Sequence, residues 1–409
     1  MLLFRNARLI DGTSKTAAPG TDVLIEGGTI REVSGKPIKS RAAQMIDLRG
    51  KTLMPGLIDC HVHVVATMAN LARNAAMPTS FQALKSVEVM SGMLMRGFTT
   101  VRDASGADFG LKMAVDEGLF RAPRLFISGK SLSQTGGHGD LRGRFDDRDF
   151  CLCHARVGLL ARVADGVDAV RKAAREEIKG GADFIKIMAS GGVASPTDPI
   201  DFLGYSRDEI EAIVEECANS KTYAAAHAYT AEAIARAVEC GVRTIEHGNL
   251  VDAATAKLMA RKDAFAVPTL VTYDALANEG AALGLPPESV AKIENVRGAG
   301  LRSLEIFRKA GVKMAFGSDL LGEMHRHQST EFAIRARVLP AHEVIASATS
   351  VAAELLRMEG KLGAIAPGAF ADLLVVDGDP LKEIGVLTGQ GERLLAIMKG
   401  GAFVKNALT

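Results

Sequence analysis

The chain has 409 residues, of which 47% are hydrophobic and 24% are charged, and its formal net charge at pH 7 is +1. This balance is typical of a globular protein and provides no basic excess for binding nucleic acid or an anionic membrane surface. The length exceeds that of one typical domain and suits a large barrel with a smaller attached module.

The N-terminal segment MLLFRNARLIDG contains two arginines and then becomes polar, so it lacks the apolar stretch of a secretion signal or membrane span. Five cysteines without regular spacing favour reduced thiols, and we expect a cytoplasmic protein. Cys151, Cys153 and His154 lie close together in sequence. Because CxC lacks the two-residue gap of most zinc knuckles, we expect loop thiols there rather than a structural zinc site.

Short apolar runs separated by turn residues occupy the first 57 positions, in LLFRNARLI, DVLIEGGTIREVS with its GG turn, and MIDLRGKTLMPG. Such runs predict short strands. The stretch after Leu362 has the same character, in GAFADLLVVDGDP and LLAIMKGGAFVKN. We therefore predict that residues 1–57 and 361–409 form one small β-sandwich domain.

The middle of the chain, residues 58–360, alternates β-branched apolar runs with longer helix-like segments, which predicts repeated βα units. Segments such as VDAVRKAAREEIKGG and AEAIARAVECG have apolar residues at helical spacing and end in glycine. The predicted strands are GLIDCHVH, GFTTVRDA, RLFISGK, ADFIKIMA, TYAAAHA, VRTIEHG, FAVPTLVT and KMAFGSD. Eight such runs predict an α/β fold, a (β/α)8 TIM-type barrel.

Several of these runs end in a residue that can bind a divalent cation. Side chains alternate along a strand, so His61 and His63 point the same way and can hold one ion. In a barrel, the C-terminal strand ends meet at one face, where catalytic groups lie. The further candidate ligands at such ends are Lys186, His227, His247 and Asp319. Together they predict a metal site.

Lys186 requires a separate argument, because a protonated ammonium is a poor neighbour for cations. A lysine in ADFIKIM could simply pair with an acid on the sheet. If metals and apolar surroundings deprotonate the amine, it can add carbon dioxide and become a carbamate that bridges two ions. The accompanying histidines and Asp319 favour this second interpretation, an N6-carboxylysine at position 186.

These motifs resemble the amidohydrolase superfamily over nearly the full chain, from PGLIDCHVH through FIKIMASGGV, HAYT, EHGN and GSD to PGAFADLLVVDGD. The segments GGHGD and ASGGVASP resemble the branch with imidazolonepropionase-like proteins and dipeptidases acting on Xaa-Pro or Xaa-Arg/Lys. The resemblance implies a binuclear centre. His61, His63 and Asp319 would hold the more buried ion, His227 and His247 would hold the other, and carboxylated Lys186 would bridge the two. Zinc is the metal we expect, although manganese, cobalt or iron also suits such ligands.

Hydrolysis by a metal-bridging hydroxide is the chemistry that these residues support. Asp319 can take the proton of the nucleophile and pass it to the leaving nitrogen. His138, in a glycine-rich loop, is the candidate donor to the developing negative charge, or else an exposed loop histidine. Tyr229 could bind a substrate carboxylate or could pack in the core, and Arg102 and Tyr273 are weaker candidates for substrate binding.

Further histidines are given less specific interpretations. His325 and His327 follow Asp319 as a second HxH pair, but a loop does not impose strand alternation. We interpret them as loop or pocket-rim residues. His154 and His342 are expected to be structural.

The substrate is expected to be a small molecule, and a dipeptide of the Xaa-Pro type is our first choice. The predicted pocket loops show no acidic cluster for a cationic side chain, although Asp198, Asp201 and Glu323 leave an Xaa-Arg/Lys dipeptidase open. An imidazolonepropionase-like hydrolase of cyclic amides is a further alternative. The non-enzymatic alternative is a catalytically silent barrel scaffold, which is disfavoured because the ligand set is whole. Self-association into a homo-oligomer is also expected.

Overall fold

The computed structural model of the chain describes residues 1–146, 157–195 and 197–408. Strands at both chain ends and alternating strands and helices between them make an α/β protein. The strands are β1 Leu2–Leu9, β2 Ala18–Glu26, β3 Thr29–Ser34, β4 Gln44–Asp47, β5 Thr52–Pro55, β6 Leu57–Val62, β7 Phe98–Asp103, β8 Arg124–Ile127, β9 Ser131–Ser133, β10 Ala161–Val163, β11 Ile185–Met188, β12 Ala224–Thr230, β13 Thr244–Leu250, β14 Phe265–Val267, β15 Leu373–Val376, β16 Leu394–Lys399 and β17 Ala402–Asn406.

Helices fill the connections of the middle region. They are α1 Leu71–Ala75, α2 Thr79–Met95, α3 Phe109–Asp116, α4 Val167–Lys179, α5 Arg207–Asn219, α6 Ala231–Glu239, α7 Ala253–Arg261, α8 Leu270–Ala275, α9 Pro287–Arg297, α10 Gly300–Ala310, α11 Thr330–Arg335, α12 Ala341–Ser347 and α13 Ser350–Leu355. A π-helical turn, Leu276–Gly280, directly follows α8, and 3-10 helices lie at Gly322–His327 and Ile384–Leu387. Within the described ranges, every helix is too short or too polar to cross a membrane.

Side-chain caps explain where several of these helices begin. Asp108, Ser206, Thr230 and Asp252 each accept a hydrogen bond from a backbone N–H of the first turn of α3, α5, α6 and α7, respectively. Such caps satisfy amides that have no partner within the helix. The helical patterns predicted in VDAVRKAAREEIKGG and AEAIARAVECG correspond to α4 and α6.

Strands from both chain ends form one mixed sheet, with the order β17-β16-β15-β5-β1-β2-β3 and with β4 also beside β1. The GG turn predicted before β3 is present, because Gly27 and Gly28 have φ angles of 57° and 84°. A two-residue hairpin turn requires such left-handed angles. Leu53 packs into an apolar cluster formed by the terminal strands, whereas its neighbour Met54 points into the core shared with the middle of the chain.

The middle strands form two parallel sheets within the described residues, β6-β7-β8 and β10-β9-β11-β12-β13-β14. Helices α4 to α7 pack on one side of the second sheet through a large apolar cluster. On the other side, Cys60 of β6, Ala225 of β12 and Phe265 of β14 meet Phe184, which directly precedes β11, in a separate buried cluster. Burial on both faces is what parallel sheets require.

Backbone hydrogen bonds connect the two parallel sheets at both of their sides. At one side, the Asp183 N–H donates to the Ile127 carbonyl at 2.7 Å, which joins β8 to the start of β11. At the other side, Met314 bridges to β14, and the Cys60 N–H of β6 donates to the Phe316 carbonyl at 2.7 Å. The segment around Met314 therefore lies between β14 and β6.

The predicted strands of the middle region agree with β6, β7, β8 and β11 to β14. The last predicted strand, KMAFGSD, differs, because only Met314 forms a bridge and the segment ends at Asp319 with a φ of 54°. A residue with a left-handed φ departs from regular strand geometry. Strands β9 and β10 were not predicted, since three residues carry too little periodicity for recognition.

We expect Gly317→Ala to destabilise the protein, because a Cβ there would lie 2.7 Å from Val267 Cγ1 and 2.9 Å from His61 Cβ. Overpacking of this kind costs about 1–3 kcal/mol. The measurement is the free energy of unfolding in urea. Gly385→Ala is the matched control, because a Cβ at Gly385 has no atom within 4 Å. Equal stability of the two variants would contradict the close packing described for this segment.

Candidate active site

Four of the predicted ligands converge where β6 and β13 approach the segment that ends at Asp319. Asp319 Oδ1 lies 3.1 Å from His63 Nε2 and 3.4 Å from His61 Nε2. Asp319 Oδ2 lies 3.9 Å from His247 Nδ1. Ligand atoms of His61, His247 and Asp319 all lie within 4.8 Å of one another, so they could hold a metal ion.

Backbone conformation places two of these side chains. His247 and Asp319 have φ angles of 69° and 54°, which non-glycine residues rarely adopt. The Asp319 N–H donates to the His61 carbonyl at 2.8 Å, which fixes the turn directly beside β6. Strained residues of this kind persist only where surrounding contacts hold them, and they cluster at functional sites.

Hydrogen bonds on the far side of each ring orient His61 and His63. His61 Nδ1 lies 2.7 Å from Glu246 Oε2, and His63 Nδ1 lies 3.1 Å from the Ser105 carbonyl. Both partners only accept, so both rings carry a proton on Nδ1, and their Nε2 atoms are directed at Asp319. His61 Nε2 is buried and has no hydrogen-bond partner. This buried nitrogen without a hydrogen-bond partner fits a metal ligand, because ligating histidines commonly donate their other N–H in this way.

Lys186 and His227 complete the predicted ligand set in the same cavity. Burial lowers the pKa of Lys186 to about 8, although Glu246 and Asp319 oppose this shift. His227 Nε2 lies 3.2 Å from the Gly191 carbonyl and therefore carries the proton, which leaves Nδ1 as the lone pair. Burial holds the pKa of His227 well below its usual value, so the ring is neutral, as a metal ligand must be.

The carboxylate of Asp319 is ionised in this environment. Burial opposes ionisation, but His61, His63 and His247 hold the pKa of Asp319 well below its usual value. The Asp319 side chain retains 19% exposure, whereas those of His61 and His247 are almost fully buried. Asp319 is therefore the most exposed member of the cluster, and its ionised carboxylate could bind a cation.

Arg102 does not lie where the sequence analysis placed it. Its guanidinium donates from Nη2 to both oxygens of Glu246, at 2.7 and 2.8 Å, and from Nε to the Cys60 carbonyl. The Arg102 and Glu246 side chains are both fully buried. Among the described residues, Arg102 is absent from the cavity lining. It contacts Glu246, which in turn binds and orients His61. Assigning it to substrate binding is not supported by this position.

The other predicted substrate residues do line the cavity. His138 stacks on His227 with ring centroids 4.2 Å apart, and its Nδ1 lies 2.7 Å from Ser195 Oγ. Tyr273 Oη donates to Tyr229 Oη at 2.9 Å. Burial raises the pKa values of both phenols above their usual range, so both remain protonated donors. Apolar side chains form much of the remaining wall, namely Leu71, Leu141, Leu160, Val193, Leu276 and Leu321.

The remaining histidines lie outside this cavity lining in the described residues. His325 is buried rather than at a rim, because its Nε2 binds the Ala66 carbonyl at 3.1 Å, and burial lowers its pKa to about 3. His327 Nε2 pairs with Glu279 at 2.7 Å, and His342 lies 3.9 Å from Glu343. Cys151, Cys153 and His154 lie outside the described residues.

Comparison with known proteins identifies the family, since the amidohydrolase family matches residues 52–403. The chain belongs to the amidohydrolase family. The prediction that this protein is an enzyme, a hydrolase acting on amide bonds, is confirmed. The predicted α/β class with parallel sheets is confirmed as well.

Individual relatives of this amidohydrolase cover most of its length. A crystal structure of a prolidase complexed with N-methylphosphonate-L-proline is 57% identical, covers 99% of each chain and has a TM-score of 0.97. A crystal structure of a Xaa-Pro dipeptidase with bound methionine is 30% identical, with a TM-score of 0.89, over 99% of this chain and 100% of that one. Ochratoxinase from Aspergillus niger is 30% identical over 369 residues, which span 87% of this chain and 76% of that protein.

Two acidic residues of the amidohydrolase site were missed by sequence reasoning. Glu246 directly precedes His247 and links His61 to Arg102. Asp59 Oδ1 accepts from the His61 N–H at 3.0 Å, and its Oδ2 accepts from Ser318 Oγ at 2.6 Å. Asp59 therefore connects the two chain segments that carry His61 and Asp319. The signal for both was their place one or two residues before a predicted ligand.

We expect Arg102→Met to destabilise the amidohydrolase by about 3–5 kcal/mol, because Glu246 would remain as an unpaired buried charge. The measurement is the free energy of unfolding in urea. The double variant Arg102→Met with Glu246→Gln should be more stable than the single one, since it removes that charge. Lys85→Met, at an exposed pair with Glu88, is the control and should change stability by less than about 0.5 kcal/mol. A single variant as stable as this control would contradict the role of the buried pair.

Proposed function

We propose that this amidohydrolase is a metal-dependent dipeptidase that cleaves Xaa-Pro dipeptides. The observation that carries the proposal is the convergence of His61 and His63 on Asp319 in a cavity with apolar walls, with both Nε2 atoms directed at the carboxylate. The 57% identical prolidase, crystallised with a proline derivative, supports the choice of substrate.

The proposed metal site is binuclear. His61, His63 and Asp319 would hold one divalent cation, and His227 and His247 would hold the other. Imidazole nitrogens with a carboxylate suit zinc, which is the metal proposed here. When bound, two such cations lower the pKa of a shared water toward about 7, so that a nucleophile is available at neutral pH.

Lys186 would bridge the two cations as a carbamate. The neutral amine adds to carbon dioxide with loss of one proton, which gives an anionic N6-carboxylysine. The pKa of about 8 at this buried lysine makes the neutral amine far more abundant at neutral pH than it is for an exposed lysine. The burial of Lys186 and its place in the cavity with the histidines therefore support this modification.

Proton transfer and substrate binding are carried out by side chains of the protein itself. Asp319 is ionised and faces the cavity, so it can accept a proton from the nucleophile and return it to the departing nitrogen. Protonation matters because an amide nitrogen leaves poorly as an anion. His138 lies over His227 and can donate to the oxygen that gains negative charge. Tyr273 donates to Tyr229, so the Tyr229 phenol is the donor available for a substrate carboxylate.

The composition of the cavity wall favours proline over a basic residue. Asp319 is the one acidic residue in the lining given by the described residues, and the proposed metal site uses it. Asp198 is buried and accepts the Gly192 N–H, whereas Asp201 and Glu323 are exposed and do not contribute to that lining. A cationic Arg or Lys side chain would therefore lose hydration without gaining a partner.

The architecture proposed for this function is a closed (β/α)8 barrel, residues 58–360, with a β-sandwich formed by residues 1–57 and 361–409. The backbone bonds from Asp183 to Ile127 and from Cys60 to Phe316 support closure of the parallel sheets. A separate apolar cluster within the terminal sheet supports a sandwich that packs on itself. Self-association and a cytoplasmic location stay predictions.

A substrate panel tests the proposed function. We expect metal-loaded protein to hydrolyse Leu-Pro at least about 10-fold faster, in kcat/KM, than Leu-Arg and Leu-Lys, because an unpaired buried charge costs more than 1.4 kcal/mol. Product amines are measured after incubation, and an imidazolone is included as the cyclic amide. Preference for Leu-Arg or for the imidazolone would refute the Xaa-Pro assignment.

Metal analysis tests the proposed ligands. We expect about two zinc ions per chain in the wild type by elemental analysis, and less metal in Lys186→Met, which cannot form a carbamate. Asp319→Asn should lower kcat by about 10²–10⁴-fold, since it removes the proton acceptor. Asp201→Asn is the matched control at an exposed position and should leave kcat unchanged. A wild-type protein without stoichiometric metal would instead favour the scaffold alternative.

A further inference from the structure

We propose that Lys292 of α9 is a positioning residue, which holds the β11 loop against His138. The β11 loop is defined here as residues 191–195 and 197–198, which follow β11. This inference rests on the proposed function, because it concerns how His138 is placed beside the substrate. Lys292 itself is not part of the cavity lining given by the described residues.

All three N–H donors of the Lys292 ammonium bind the β11 loop. Lys292 Nζ donates to the carbonyl oxygens of Gly192 at 2.9 Å, of Ser195 at 2.9 Å and of Asp198 at 2.7 Å. A lysine has three donors and no acceptor, so these contacts saturate it. The acceptors are spread along the loop, and one side chain from another element therefore fixes the backbone at three places.

Helix α9 positions Lys292 for this contact. Its buried residues are Ser289, Ile293 and Val296, which recur at helical spacing and pack toward the interior. Lys292 directly precedes Ile293 and is partly buried, and its ammonium reaches the loop.

The β11 loop in turn contacts His138 closely. Ser195 Oγ lies 2.7 Å from His138 Nδ1, and Asp198 Oδ2 lies 3.7 Å from the same nitrogen. A Cβ placed on Gly192 would lie 2.1 Å from His138 Cε1, so the ring packs directly on the loop backbone. Asp198 Oδ2 also accepts the Gly192 N–H at 2.9 Å, which ties the two ends of the loop together.

The same loop also reaches a proposed metal ligand. The His227 Nε2–H donates to the Gly191 carbonyl at 3.2 Å, and the His138 and His227 rings stack with an interplanar angle of 23°. Moving the loop would therefore shift His138, the proposed donor to the substrate oxygen, relative to the reacting centre. A displacement of about 1 Å can cost about 100-fold in rate, even when it arises far from the chemistry.

A double-mutant cycle with His138→Asn tests this role. We expect Lys292→Met to lower kcat/KM for Leu-Pro by about 10–100-fold in the wild-type background. In the His138→Asn background, the same change should lower kcat/KM by less than about threefold, because the group that Lys292 positions is already missing. A merely structural role would give equal factors in both backgrounds. Lys292→Gln, which keeps a donor, provides a second and milder variant for the same cycle if Lys292→Met folds poorly.

Bound metal and the unfolding midpoint are measured for every variant, and Lys85→Met serves as the matched control at an exposed lysine. The control should retain wild-type kcat/KM. Equal factors in the two backgrounds, or a Lys292 variant within twofold of wild type, would overturn the inference while leaving the proposed function intact. A wild-type protein that binds metal but cleaves no Xaa-Pro dipeptide would overturn the proposed function, and this inference with it.

Discussion

The buried pair of Arg102 and Glu246 is the interaction on which the site depends. Glu246 accepts two hydrogen bonds from Arg102 and one from His61, and all three side chains are enclosed by protein. A carboxylate stays ionised at such a place only because a cation is in contact with it, and the pKa of Glu246 is accordingly held far below its usual value against the effect of burial. The ionised form fixes the His61 proton on Nδ1. The orientation of the His61 Nε2 atom that faces Asp319 is thus set by a guanidinium two contacts away.

The ligands could be predicted from the sequence because strand alternation and strand ends are local properties. His61 lies in β6 and His63 directly follows it, so their side chains share one side; Lys186 and His227 lie within β11 and β12 rather than at the ends that the pattern indicated. Arg102 could not be placed in this way. It also belongs to a strand that ends near the site, but its guanidinium extends to Cys60 and Glu246 rather than into the cavity. A long side chain reaches far from its Cα, so strand position alone does not locate its charge.

Glu246 and His247 show a second limit of the pattern. Neighbouring residues of a regular strand point to opposite faces, yet both of these side chains contribute to the site. The φ of 69° at His247 breaks the alternation, and Thr269 Oγ1 holds the ring at 2.8 Å from Nδ1. The β11 loop is a similar case, because Lys292 approaches it from a helix about a hundred residues later in the chain. Such placement depends on tertiary contacts that no local spacing records.

The segment that carries Asp319 has a consequence for how the protein matures. It is joined to β14 by the single Met314 bridge and to β6 through the bonds at Cys60 and His61, and it supplies the last of the proposed ligands in chain order. During synthesis, the histidines of the cluster therefore leave the ribosome before Asp319, whose carboxylate completes it. The proposed metal site is complete only once Asp319 has left the ribosome, and a product truncated before that residue would lack one of the proposed ligands.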